Sequence, residues 1–174
     1  WQIMKDGKPT NEMDIKGLGA KKGNFPKWGK EISTKILLDL LTQDYTEDHY
    51  IRLLEAEKIK LETGEFDIRD LLVAARLGKL LDEYKSKLCH VTIARRLAEK
   101  GVLVNVYMTL NYVIINGETP MHGVELSEID DNTELDGQYY FNKVLMGQVE
   151  SYLEVAFPHI EWSKYRYPRN LKRK

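Results

Sequence analysis

The sequence predicts an α+β fold, mainly α-helical with small β-hairpins, and three observations carry that prediction. Apolar residues recur at helical spacing in three stretches, beginning near residues 28, 91 and 137. Two dipeptides, Asp6-Gly7 and Asn116-Gly117, follow short apolar runs as hairpin signals, because their residues tolerate positive φ. Hydrophobic residues are 43% of the 174, enough to fill the core of one domain or a little more.

Each element follows in order. Residues 1–5 alternate weakly, meet Asp6-Gly7 and resume near Met13, which predicts a strand pair. Gly17 to Gly23 is a glycine-rich basic loop. Pro26 suits the first turn of a helix, where a missing N–H costs nothing. Trp28, Ile32, Ile36, Leu37, Leu40 and Leu41 then mark one face of that helix. Thr46 is placed to cap a second helix, with Glu47 and Asp48 favourable to its dipole and Gly64 to stop it. Residues 68–81 are apolar in blocks and fit a short strand or a helix equally. Val91, Ala94, Leu97 and Ala98 form the face of a helix that ends at Gly101. Residues 102–106 and 110–115 are expected as strands. The last long helix starts near Gly137, buries Phe141, Val144, Leu145, Val149, Tyr152 and Leu153, and ends before Pro158.

The charge is polarised although the sum is only -1. Lys16, Lys21, Lys22, Lys27 and Lys30 crowd the N-terminal part, and Lys164, Arg166, Arg169, Lys172, Arg173 and Lys174 the C-terminal end. Between Glu118 and Glu161 the sole Lys or Arg is Lys143. Such a distribution suits a protein that turns one face to a polyanion, or simply a set of solvated charges. A lone cysteine, Cys89, excludes an internal disulfide framework and a cysteine-cluster zinc site. With no bilayer-spanning apolar run and no signal-peptide pattern, the expected setting is reducing and intracellular, cytoplasmic or nucleoid-associated. A start at Trp1 is expected of an excised fragment or a processed product.

Four groups of residues bear on chemistry. Lys21 and Lys22 on a glycine-rich loop let backbone approach phosphates while two ammonium groups neutralise them; a plain surface loop is the alternative. Lys85, Lys87 and His90 flank a loop and a helix start, where backbone N–H groups and the lysines suit a phosphate oxygen. Arg95 and Arg96 stand about 100° apart on that helix, so one can face DNA while the other pairs with a carboxylate such as Glu99. Asp130 and Asp131 with Glu128 invite a two-metal reading, but they lie in a polar acidic stretch without apolar strand flanks, which fits a solvated loop instead. His49, His122 and His159 lack ligand spacing, and no metal site is expected. Tyr139, Tyr140 and Phe141 open an apolar helix and are expected in the core rather than stacked on bases. The basic end, with Tyr165 and Tyr167 interleaved, reads as an arm along DNA or another subunit, or as an unstructured terminus.

In order along the chain, four segments resemble archaeal-type family B DNA polymerases. They are Lys16-Gly17-Leu18 with the basic cluster and Lys30-Glu31; Tyr84-Lys85 with His90-Val91, Arg95-Arg96 and Lys100-Gly101; Asn111-Tyr112-Val113-Ile114-Ile115 with an Asn-Gly turn; and Asp136-Gly137-Gln138-Tyr139-Tyr140-Phe141-Asn142-Lys143-Val144-Leu145. Together they cover essentially the whole chain and resemble the family's thumb domain, a helical domain with small hairpins. The resemblance implies residues 1–18 as the end of a palm-like strand pair, 19–163 as the thumb and 164–174 as a basic C-terminal tail.

It further implies a domain that holds double-stranded primer-template DNA through its backbone, with Lys16, Lys21, Lys22, Lys85, Lys87, His90, Arg95 and Arg96 as the DNA-binding set. The family's paired metal-binding aspartates with an adjacent Tyr-Gly are not in this sequence. No catalytic residue, metal ligand or cofactor is therefore expected in this chain. Mg2+ and nucleotide transfer are expected of a palm-containing segment or large subunit. The hydrophobic clamp-binding motif is also missing, which puts a sliding-clamp contact in doubt. A non-catalytic helical interaction module with a basic docking tail is the competing expectation.

Overall fold

In the computed structural model, residues 2–5, 8–13, 25–117 and 122–168 are described. The N-terminal hairpin pairs β1 (Gln2–Lys5) antiparallel with β2 (Lys8–Met13), and Lys5 faces Lys8 across its closed end. The predicted turn residues Asp6 and Gly7 lie outside the described residues.

Helix α1 (Lys27–Thr42) starts directly after Pro26, whose fixed φ fits the cap position it takes here, one residue earlier than expected. Helix α2 (Glu47–Thr63) follows the extended Thr46, though that hydroxyl makes no capping bond, and it stops at Gly64 with φ 78°. Only a residue free of a Cβ adopts that left-handed conformation cheaply. The two helices are tied inside the core: Trp28 Nε1 donates to Glu57 Oε2 at 3.0 Å, and Lys60 holds the other carboxylate oxygen at 2.6 Å. A charge-assisted bond to each oxygen is what lets Glu57 sit buried.

The block at 68–81 resolves into a 3-10 turn (Ile68–Leu71), strand β3 (Val73–Arg76) and a second 3-10 turn (Leu81–Glu83). Helix α3 (Cys89–Glu99) ends at Gly101, φ 86°, where the Gly101 N–H donates to Ala98 O and the Val102 N–H to Leu97 O. Residues 102–106 are not a strand. Those two hydrogen bonds turn the chain, and Tyr107 takes φ 70°, held by its N–H donating to Leu77 O at 2.8 Å.

Strand β4 (Thr109–Ile115) forms where expected, at the centre of an antiparallel sheet ordered β3-β4-β5, with β5 spanning His122–Glu125. Ile115 pairs with His122, so six residues separate the paired ends and Asn116-Gly117 does not make a two-residue turn between them.

The last helical run has three parts: α4 (Gly137–Tyr139), a π-helical segment (Tyr140–Leu145) and α5 (Met146–Ala156). Asp136 caps it through the Tyr139 N–H at 2.9 Å. Its inward face is the predicted one, with Phe141, Leu145, Val149 and Leu153 fully buried. Tyr139 packs at the core edge, while Tyr140 is wholly buried and its hydroxyl accepts the Ile114 N–H at 2.9 Å. Strand β3 reaches β4 only as far as Tyr112, so this N–H needs a side-chain partner.

Helix α1 packs on α5 and the π segment, and α3 covers β4 and β5. The fold is thus mostly helical with one small three-stranded sheet, as the sequence predicts.

Candidate nucleic-acid interface

Folding brings the loop before α3 to the surface and pins it from three sides. Tyr84 Oη accepts the Gly78 N–H at 2.8 Å, and the Lys79 ammonium lies 4.9 Å from the Tyr84 ring centre. Glu83 Oε2 accepts the Leu80 N–H at 2.9 Å. From α3, Arg95 Nη2 donates to the carbonyls of Leu81 and Tyr84, each at 3.0 Å. Lys85 and Lys87 stand exposed on this braced loop, and neither has a hydrogen-bond or ion-pair partner among the described residues.

His90 is half-buried, edge-on to Tyr84 with ring centres 6.2 Å apart. Burial lowers its pKa from 6.5, so at neutral pH it offers a hydrogen bond rather than a charge. Arg96 projects to the other side of α3, where its Nη2 reaches Glu128 at 2.6 Å and Gly123 O at 3.3 Å. Lys100 Nζ meets the second Glu128 oxygen at 2.5 Å. Burial would raise the Glu128 pKa, but the two cations override it and hold the carboxyl below 4.5.

The expectation of a carboxylate on one arginine is thus met by Glu128, not Glu99. Neither guanidinium is free: Arg95 braces the loop and Arg96 ties α3 to β5. Lys16, Lys21 and Lys22 lie outside the described residues. Nothing in the sequence singled out Glu128 as the partner, since 32 positions separate it from Arg96. Asp130, from the same acidic stretch, closes a turn by accepting from Asn132 N at 3.1 Å and Thr133 Oγ1 at 2.9 Å.

The C-terminal end is folded as far as it is described. Asn142 clamps Tyr167, its Nδ2 donating to Tyr167 O at 3.0 Å and its Oδ1 accepting the Tyr167 N–H at 2.9 Å. Arg166 forks onto Glu150 and donates to Asn142 O, and Tyr167 Oη donates to Glu62 at 2.7 Å. These contacts commit Arg166 and Tyr167 to the body of the protein, and residues 169–174 lie outside the described residues. No helix among the described residues is long and apolar enough to cross a membrane.

Beside this geometry stands the chain's kinship. The chain belongs to DNA polymerase family B, whose sequence profile matches residues 2–156. Its relatives include DNA polymerase 3 of Saccharolobus solfataricus, 27% identical over 136 residues, which span 77% of this chain and 18% of that protein. DNA polymerase 1 of Pyrococcus abyssi is 27% identical over 154 residues, covering 87% of this chain and 20% of the relative. Among solved structures, the family B DNA polymerase of Pyrobaculum calidifontis superposes with a TM-score of 0.64 at 25% identity, over 71% of this chain and 17% of that one. The chain therefore spans a fifth or less of the length of the relatives it matches.

Proposed function

We propose that this chain is the thumb of a family B DNA polymerase and grips duplex primer-template DNA through its phosphates, largely without regard to sequence. The observation that carries the proposal is the pair Lys85 and Lys87: exposed, without partners among the described residues, and held on a loop that Arg95 fixes in place. Positioning phosphates needs fixed cations more than base contacts. His90 adds a neutral hydrogen-bonding group beside them, and Lys16, Lys21 and Lys22 extend the grip. Arg95 and Arg96 serve it by holding the loop and α3 rather than by touching DNA. Catalytic aspartates and Mg2+ belong to a palm-containing segment or subunit, and this chain keeps the primer terminus near them, inside the cell and on DNA.

The test is duplex affinity of the chain against salt concentration. Each lost phosphate contact should reduce the log–log slope by about 0.9, so Lys85→Ala with Lys87→Ala should flatten it by about 1.8 at any sequence. Wild-type affinity that does not depend on salt would instead favour a protein-interaction module. Restored primer extension on mixing with a palm-containing partner tests the division of labour.

A further inference from the structure

Beside the braced loop, a cavity of about 300 Å³ opens between α3 and β5, lined by Lys87, Cys89, Thr92, Ile93, Arg96, Ile115, His122 and Gly123. Its chemistry is uneven in a useful way. Ile93 and Ile115 give it an apolar wall, while Lys87, Arg96 and His122 supply nitrogen donors from three separate stretches of chain. Lys87 and His122 make no hydrogen bond or ion pair among the described residues, and Arg96 spends only Nη2 on its partners. Lys87 and Arg96 bring positive charge to the lining, and no acidic residue lies in it.

Two glycines make the cavity possible. A Cβ on Gly117 would come 2.3 Å from His122 Nδ1, so that imidazole lies where only a glycine leaves room. A Cβ on Gly123 would come 2.6 Å from Cys89 Sγ and 2.8 Å from Ile93 Cδ1, so only a glycine lets β5 lie this close to α3.

We propose that this cavity is a phosphate-binding pocket of nucleotide size, with Lys87 and His122 on the phosphoryl oxygens and Ile93 and Ile115 against the attached sugar. Its volume lies at the lower end of small-ligand sites, roughly 300–1,000 Å³, and exceeds what a bare phosphate fills. A DNA strand and a free nucleotide share this chemistry. The site deepens the grip assigned above, and depends on that assignment only for the source of the phosphate.

The experiment is a titration of the whole chain, followed by amide and methyl NMR, with thymidine 5′-monophosphate, with thymidine, and then with a duplex of mixed sequence. Monophosphate should shift Cys89, Ile93, Ile115 and Gly123, and thymidine should not. Lys87→Ala or His122→Ala should weaken the monophosphate by roughly tenfold or more, as loss of a bond to a charged group implies. Thr92→Phe, which fills the cavity and removes no cation, should abolish binding.

Displacement of the monophosphate by duplex identifies the DNA backbone as the source. Binding of monophosphate without displacement identifies a free nucleotide, and if duplex does not bind at all, the grip fails while the pocket stands. Equal shifts with thymidine, or shifts that survive Thr92→Phe, overturn the pocket. So does the lack of any shift with monophosphate when duplex still binds with a salt-dependent affinity, and in that case the grip stands.

Discussion

Arg95→Ala separates bracing from gripping. In the structure its Nη2 serves the carbonyls of Leu81 and Tyr84, at 3.0 Å each, and no phosphate role is needed to explain the residue. A hydrogen bond to a charged group contributes about 1.5–3 kcal/mol. Both bonds share one nitrogen and the carbonyls are only half-shielded, so the pair together should be worth about that much rather than twice it. The melting temperature should then fall by roughly 3–12 °C for a chain of this length. Duplex affinity should fall as well, because Lys85 and Lys87 lose their fixed platform, but the number of phosphates they neutralise stays the same. The salt slope should therefore hold at its wild-type value, whereas the double lysine variant flattens it at nearly unchanged stability. The assays are thermal unfolding and fluorescence anisotropy with labelled duplex over a salt series. A flattening of the slope by about 0.9 at unchanged melting temperature would put Arg95 on a phosphate and refute the brace.

Three further variants probe the scaffold. Tyr140→Phe leaves the buried Ile114 N–H without its 2.9 Å partner, and urea unfolding should show a loss of about 1–3 kcal/mol at constant m-value. Glu128→Gln tests the depressed carboxyl. A folded pKa below 4.5 gives stability that is present above that value and lost as pH falls through the folded pKa, so wild type should exceed the variant at pH 7 and the gap should shrink under acid. Gly29→Ala drives a Cβ to 2.4 Å from Val144 Cγ1, where α1 meets the π segment, and calorimetry should show destabilisation of about 1–3 kcal/mol.

What the sequence made legible follows from local physics. The faces of α1, α3 and α5 were readable, Leu41 and Ala98 apart, which are exposed, because burial imposes a 3.6-residue period on any helix laid against a core. Gly64 and Gly101 were readable because a left-handed cap tolerates little else. Residues 102–106 misled: Val102, Val104 and Val106 suit a strand, but the capping bonds at the end of α3 turn the chain before one can pair. The Asn116-Gly117 signal pointed to the right hairpin and the wrong loop length, since the strand register depends on pairing across the sheet, not on the dipeptide. No local pattern announces the π segment either. The carbonyl of Asn142 within it accepts from Arg166, 24 positions away.

The candidate site divides along a line that composition hides. All eight predicted contacts are basic or imidazole, and the sequence separates them only as far as expecting one of Arg95 and Arg96 to meet a carboxylate. In the fold, the arginines of α3 turn to carbonyls and to a carboxylate, and the lysines of the loop turn to solvent. The side chains themselves supply the reason. A planar guanidinium with several fixed N–H donors can bridge two acceptors and tie elements together, whereas an ammonium on a flexible stem loses more than it gains from a fixed internal partner. An arginine pair on an amphipathic helix is therefore a poor sign of a polyanion contact when carbonyls and acidic side chains lie within reach. Lysines on a short loop that such arginines hold are the better sign, because their charge has no nearer partner and their position is already fixed before DNA arrives.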